Sequence, residues 1–312
     1  MIRVQTNRAN QLFEIAAKNL SPAFDGAQNL PVFSYWCKFF GENPDEQEGS
    51  IRLVDAKIYN NLESKSRVNE LLQEKNISGV FPATYHSIQD ALKHKGRVNI
   101  WFIKPSHLSG GRGIQVVSNE KLSDFDLPPF NIVQEGIENI ALIGGRKFVV
   151  RVYGFLWNRN LYIFDDGFVL IHGPQYVYKS TDYSVQVDHR GFQDADSKVD
   201  MQLLSTLDPG NHIRGKASAA MEKIAPIMAQ TLSATSPRQY LILGIDVLVL
   251  DDGNVKFIEI NAIPNFVHSP SINRELNVPL FEHVMRMVYG LDTGRFRKLE
   301  TSAPGPGQNL FG

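Results

Sequence analysis

Cysteine is almost absent from this chain. Cys37 is the only one in 312 residues, so no intrachain disulfide can form and no cysteine-based zinc cluster can be assembled. The eight histidines, at 86, 94, 107, 172, 189, 212, 268 and 283, show no ligand spacing such as H-x-x-x-H. A G-x-S-x-G elbow is missing too, which leaves serine-hydrolase chemistry without support. No charge of one sign dominates: 32 basic side chains face 33 acidic ones, for a formal net charge of -1. That balance argues against a nucleic-acid partner. Long hydrophobic runs are lacking. The most apolar stretch, YLILGIDVLVL at 240–250, is too short to span a bilayer and contains Asp246. The first twenty residues hold no sustained apolar segment of the signal-peptide kind. The expectation is a cytoplasmic protein with no membrane partner.

A length of 312 residues exceeds the size at which single cores usually stop growing, so two or three subdomains sharing a cleft are expected. Residues 41–50 read as a solvated loop, 51–55 as a short strand, and 65–75 as an amphipathic helix through Val68, Leu71 and Leu72. A second helix is predicted over 86–95, capped from Ser87. Strands follow at 99–105, 114–118 and 131–137. A meander of three more comes next, with turns at Asn158-Arg159-Asn160 and Asp165-Asp166-Gly167. A long helix over 214–235, a hairpin over 240–261, a closing helix over 279–290 and an extended or disordered tail from 296 complete the prediction. Strand–helix, antiparallel meander, helix, hairpin is an α+β order.

Three constellations carry chemistry. In the hairpin, symmetric closure about Asp252-Gly253 places Asp246 directly opposite Glu259, with Cβ atoms roughly 5 Å apart. Asn261, two residues on, shares their face. Facing carboxylates repel unless a cation lies between them, and such oxygen ligands suit magnesium; the alternative is a solvated acidic pair. In IWFIKPSHLSGGRGIQVV at 100–117, Gly110, Gly111 and Gly113 beside Ser109 free the backbone to approach phosphate oxygens, and Lys104 adds a point charge. No helix follows, so this is neither a Walker loop nor a dinucleotide fingerprint, and an ordinary loop is the other reading. In RKFVVRV at 146–152, Lys147, Val149 and Arg151 point to one face of a strand. Two buried cations there call for anionic partners, which structural salt bridges would also supply.

Taken in order, KPSHLSGGRGI, IVQEGIENIALIGGRKFVVRVYGF and LGIDVLVLDDGNVKFIEINAIPNF resemble the tubulin tyrosine ligase-like family, over about 51–268. The resemblance implies an ATP-grasp fold, with nucleotide held between two antiparallel-sheet subdomains. It also implies that Lys104 contacts the inner phosphates and that Lys65 is a further basic ATP contact. Gln134, Glu135 and Ile137 would form the adenine hinge, and Lys147 would face the nucleotide. Arg151 would reach the γ-phosphate or substrate carboxylate; Asp246, Glu259 and Asn261 would hold Mg2+ and the terminal phosphates. Four units are expected: 1–62, 63–137 with the flap, 138–295 with the magnesium site, and a tail, 296–312.

Departures cluster away from the magnesium end. Gly136 stands where the family has an aromatic hinge residue, and Val149 where it has an aspartate. Phe164-Asp165-Asp166-Gly167 replaces a turn that carries a basic contact, and Lys179-Ser180-Thr181-Asp182 replaces His-Leu-Thr-Asn. The implied activity is ATP-dependent carboxylate–amine ligation through an acyl phosphate, adding an amino acid to a protein or peptide, with catalytic roles for Lys104 and Arg151. A small-molecule amide ligase and a catalytically silent ATP-binding module are the alternatives.

Overall fold

The computed structural model describes residues 2–8, 11–38, 41–187 and 198–301. β1 (Val4–Thr6), α1 (Leu12–Leu20) and β2 (Phe33–Tyr35) lead into β3 (Arg52–Leu53). Helices α2 (Ala56–Glu63) and α3 (Lys65–Glu74) meet at Ser64, whose hydroxyl caps α3 by accepting from the Arg67 N–H. β4 (Thr84–Tyr85), α4 (Ile88–Leu92), β5 (Ile100–Pro105), β6 (Gln115–Ser118) and β7 (Asn131–Glu135) build a four-stranded antiparallel sheet ordered β4-β7-β5-β6. The chain continues through β8 (Leu142–Ile143), β9 (Arg146–Trp157), β10 (Asn160–Ile171), α5 (Tyr183–Val187), β11 (Asp200–Leu203) and α6 (Leu204–Leu207). It closes with α7 (His212–Ile224), α8 (Ala229–Ala234), β12 (Gln239–Val249), β13 (Val255–Asn261), α9 (Pro270–Ile272), α10 (Val278–Val288) and β14 (Phe296–Lys298).

The larger sheet runs β11-β10-β9-β12-β13, with β8 on β9, β14 on β10 and β3 on β12. One edge of β12 is divided: Gln239 and Tyr240 pair in parallel with β3, whereas Gly244–Val249 pair antiparallel with β13. The bridge between Phe33 and Ile51 then ties β2 to the β3 segment, and β1 pairs with β2. Hydrogen bonding therefore crosses residue 62 and, through β14, residue 295, so the four expected units are a proposal about folding rather than about separate sheets. Phe13 of α1 stacks on Tyr35 at 4.6 Å, and both belong to the core that also holds Phe266 and Phe281. The smaller sheet has its own core of Trp101, Ile103, Leu122 and Val133 against α4. Strand alternation turns Ile100, Phe102 and Lys104 to the opposite face. Among the described residues no helix is long and apolar enough to cross a membrane.

Four expectations need correction. Asp165-Asp166-Gly167 makes no turn between strands. β10 is continuous, and a bulge sets Phe164, Asp165 and Asp166 against Tyr153 alone, between the pairs Ile163–Gly154 and Gly167–Val152. Buried Asp166 holds it, accepting from the N–H groups of Gly167 and Ser205 and from the Ser205 hydroxyl. A Cβ at Gly167 would lie 2.1 Å from the Arg151 carbonyl oxygen, so only glycine closes the bulge. The helix expected over 214–235 breaks at Pro226 into α7, a 3-10 turn (Ala225–Met228) and α8, because proline cannot donate within the helix. The tail begins as strand β14, with Leu299 buried behind it; the expectation for 302–312 lies outside the described residues. Finally, the hairpin turn holds three residues. Leu250 N–H donates to the Asn254 carbonyl, and Gly253 N–H to that of Leu250. Val247 consequently pairs with Phe257, and a bulge at Ile258 restores the Asp246–Glu259 pairing.

Candidate active site

β9, β12 and β13 set Arg151, Asp246 and Glu259 in one row, because Asp246 is the cross-strand partner of Arg151 on one side and of Glu259 on the other. The cation needed to relieve the carboxylates is built in. Arg151 donates to Asp246 through Nε at 2.5 Å and Nη2 at 3.0 Å, a two-pronged pair. Gly244 makes room for it: a Cβ there would sit 2.8 Å from Arg151 Nη1. Burial opposes the guanidinium charge, yet Asp246 outweighs it and raises the Arg151 pKa further. Lys65, the first residue of α3, lies 3.5 Å from Glu259 and donates to the Leu108 carbonyl at 2.7 Å. It thereby joins the carboxylate row to the Gly-rich loop. Asn261 ends β13 with its Nδ2 3.4 Å from the Gly244 carbonyl.

The smaller sheet supplies the opposing wall. Lys104 is buried, donates to Gln134 Oε1 at 2.6 Å and stands 5.2 Å from the Phe102 ring centroid. Burial, with repulsion from Lys65, pushes its pKa down to about 8 against the pull of Glu259 and Asp246. Lys147, 5.5 Å from the same ring, is pushed down to about 7 by burial and by Lys104. Among the described residues, no anionic side chain partners Lys147. Its acceptors are the Gln186 carbonyl at 2.8 Å and Gln186 Oε1 at 3.3 Å. β5 and β6 carry the loop that includes Ser109, with Gly110, Gly111 and Gly113 all in the left-handed region at φ 66°, 71° and 72°.

The hinge residues are adjacent but differently used. The Gln134 carboxamide, which the resemblance assigns to adenine, is turned to Lys104 and to the Thr84 hydroxyl. Glu135 accepts from the Tyr85 hydroxyl at 2.8 Å, and Ile137 is half-buried just beyond. Gly136 has no room for a side chain, since a Cβ would meet the Ile100 carbonyl oxygen at 2.7 Å. Asp165 pairs with Arg295 at 2.8 Å and Asp166 holds the bulge, so the acids of that segment serve the fold.

Three features escaped the sequence reading. Glu63, at the end of α2, accepts from Ile263 N–H just past Asn261, and burial raises its pKa despite the backbone hydrogen bonds of Ile263 and Ala262. His268 lies 4.5 Å from the Phe168 ring and 2.9 Å from Asn277 Nδ2; burial and Arg151 push its pKa down to about 3, so it is neutral. Gln186 is the third. No spacing rule points to any of them, because each reaches the site from a distant element. A cleft between α3 and β13 is lined by Leu62, Glu63, Lys65, Thr84, Gln134 and Glu259. Among the described residues no cluster of three or more His, Cys, Asp or Glu side chains stands ready for a metal. The candidate magnesium set is therefore two carboxylates and the Asn261 amide.

The depressed lysines predict proton-coupled anion binding. In the free protein at pH 8, Lys147 is largely neutral and Lys104 about half charged. A bound polyanion would raise both pKa values, so ATP binding at pH 8 should take up about one proton and weaken as pH rises further. Calorimetry in buffers of different ionisation heat reads this directly, and an uptake near zero would contradict it. The same shifts make the unfolded chain bind more protons between about pH 7 and 10. The free protein's stability should then rise with pH over that window.

A family model described as the tubulin-tyrosine ligase family matches residues 49–189 and 198–294. Tubulin glycylase 3D of Tetrahymena thermophila is 24% identical over 229 residues, covering 63% of this chain and 22% of that protein. Probable alpha-tubulin polyglutamylase Ttll1 of the same organism is 23% identical over 228 residues, covering 62% of this chain and 55% of its own length. Human tubulin polyglutamylase TTLL7 is 22% identical over 277 residues, or 75% of this chain and 30% of that protein. The chain thus spans about half or less of these relatives, while the match to the family itself extends over most of its own residues. It belongs to the tubulin-tyrosine ligase family.

Proposed function

We propose that the chain is an ATP-dependent carboxylate–amine ligase that adds an amino acid to a protein or peptide, with nucleotide held ATP-grasp fashion between its two antiparallel sheets. One observation carries the reading. Among the described residues, the buried lysines Lys104 and Lys147 have only amide oxygens as hydrogen-bond acceptors, across from a row containing two carboxylates. Buried lysines with no anion bound to them among the described residues fit a polyphosphate, and the oxygen donors of Asp246, Glu259 and Asn261 fit magnesium. The ion, when bound there, would neutralise charge on the transferring phosphoryl group.

The chain's own residues do the rest. Lys65, Lys104 and Lys147 would bind phosphates together with the Ser109–Gly113 loop, and Glu135 and Ile137 would flank the base. Asp246 would help hold the metal, and Arg151, its partner in the free protein, would then face the γ-phosphate or the substrate carboxylate. A carboxylate oxygen then attacks the γ-phosphorus, forming an acyl phosphate and expelling ADP; the amine attacks the acyl carbon and phosphate leaves with loss of a proton. Lys104 and Arg151 would stabilise the developing charge, while the loop keeps water from the acyl phosphate.

The names of the relatives, glycylase and polyglutamylase, support an amino acid as the amine and a polypeptide as the acceptor. Incubation with ATP, magnesium, labelled glycine or glutamate and candidate polypeptides should yield ADP, phosphate and labelled polypeptide. AMP with pyrophosphate would refute the acyl-phosphate route. Label confined to a free amide would select a small-molecule acceptor, and ATP binding without turnover a silent module.

A further inference from the structure

The segment between β10 and the end of α5 touches the proposed nucleotide cleft at several points. Tyr178 donates to Glu138 beside the hinge at 2.8 Å, and Tyr183 donates to the Gly111 carbonyl of the loop at 2.9 Å. Val187 is buried against Ile100 and Phe102 on the cleft face of β5. Between these anchors Gln186 presents both its backbone carbonyl and its side-chain oxygen to the Lys147 ammonium. Its own amide is tethered, with Nε2 donating to the Ser180 carbonyl at 3.0 Å. That tether fixes which end of the carboxamide faces the lysine.

An ammonium has three donors. Two meet Gln186, the aromatic face of Phe102 lies beneath, and among the described residues the third has no acceptor, which leaves it for a ligand in the cleft. Without the side-chain oxygen, a long flexible lysine would keep only one fixed acceptor and would lose its direction. We infer that Gln186 is a positioning residue for nucleotide: it aims Lys147 into the cleft without neutralising its charge, which a carboxylate in the same place would do. This rests on the nucleotide reading given above.

The test is ATP–magnesium binding by calorimetry in the wild type, Gln186→Leu, Lys147→Met and the double variant, with thermal unfolding of each in the absence of nucleotide. Gln186→Leu should weaken binding about tenfold, the loss of one hydrogen bond to a charged group. Its unfolding midpoint without nucleotide should stay within about 3 °C of the wild type. The double variant should bind no worse than Lys147→Met alone, because Gln186 acts through that lysine. Unchanged affinity in Gln186→Leu, or losses that multiply in the double variant, would overturn the inference while leaving the nucleotide reading intact. A wild type that binds no ATP removes the nucleotide reading itself. Should Gln186→Leu fail to fold, Gln186→Ala, which introduces no new bulk, is read in the same way.

Discussion

Glu259→Gln should reduce ATP-dependent ligation by about three orders of magnitude while leaving the protein folded. The substitution keeps the shape of the side chain and its place in the β12–β13 register, so the Asp246 pairing survives. It would remove one of the two negative charges that the proposed site offers magnesium; several kcal/mol of phosphoryl charge stabilisation would then be at stake, and about 4 kcal/mol corresponds to a thousandfold. The stability cost is small. The Glu259–Lys65 contact is mostly buried but long, at 3.5 Å, the glutamine can still accept from Lys65, and Lys65 retains the Leu108 carbonyl, so about 1–2 kcal/mol is expected. Labelled amino-acid incorporation and the urea midpoint should therefore part company. If incorporation falls by less than tenfold, Glu259 does not hold the metal.

Arg151→Met behaves differently, because it strikes fold and chemistry together. Arg151 and Asp246 are mostly buried, with side-chain exposures of 15% and 17%, and form a two-pronged pair. Deleting the guanidinium strands the Asp246 carboxylate and should cost about 3 kcal/mol of stability. Adding Asp246→Asn removes the stranded charge and should recover about half of that loss. Activity should stay below detection in both variants, since neither restores a cation at the γ-phosphate. Chemical unfolding beside the incorporation assay reads both quantities. A stability loss under about 1 kcal/mol for the single variant would show that the pair is solvated rather than buried.

Much of this site is legible from local chemistry. Alternation along RKFVVRV places Lys147 and Arg151 on the cleft face, and the Asp246–Glu259 pairing is real. That pairing, however, arises by a route that turn residues do not reveal. Symmetric closure about Asp252-Gly253 predicts it directly, whereas the molecule closes over three residues and recovers the register with a bulge at Ile258. Two irregularities cancel. The Asp165-Asp166-Gly167 signal is genuine in the same sense: aspartate and glycine do bend the chain there, but within one long strand. What stays hidden is whatever depends on a distant partner. Glu63 and Gln186 look like ordinary polar residues on short helices, and only the packed chain brings one to Ile263 and the other to Lys147. The N-terminal strands are equally opaque, since segments of two or three residues have no periodicity to read and take their register from β12.

The shared edge of β12 has a consequence for how the molecule comes apart. Its first residues carry the N-terminal strands and its later ones carry the hairpin with Glu259 and Asn261, so one strand is the common spine of both. Amides on β3 and on β13 should then exchange with solvent in a single opening event rather than in two. Peeling away β1 to β3 bares unpaired donors and acceptors beside the β12–β13 hairpin, an invitation to pair with a neighbouring chain. Segments with no chemistry of their own thus act as the selvedge of the fabric that holds the carboxylates, keeping it from fraying and from sticking to itself.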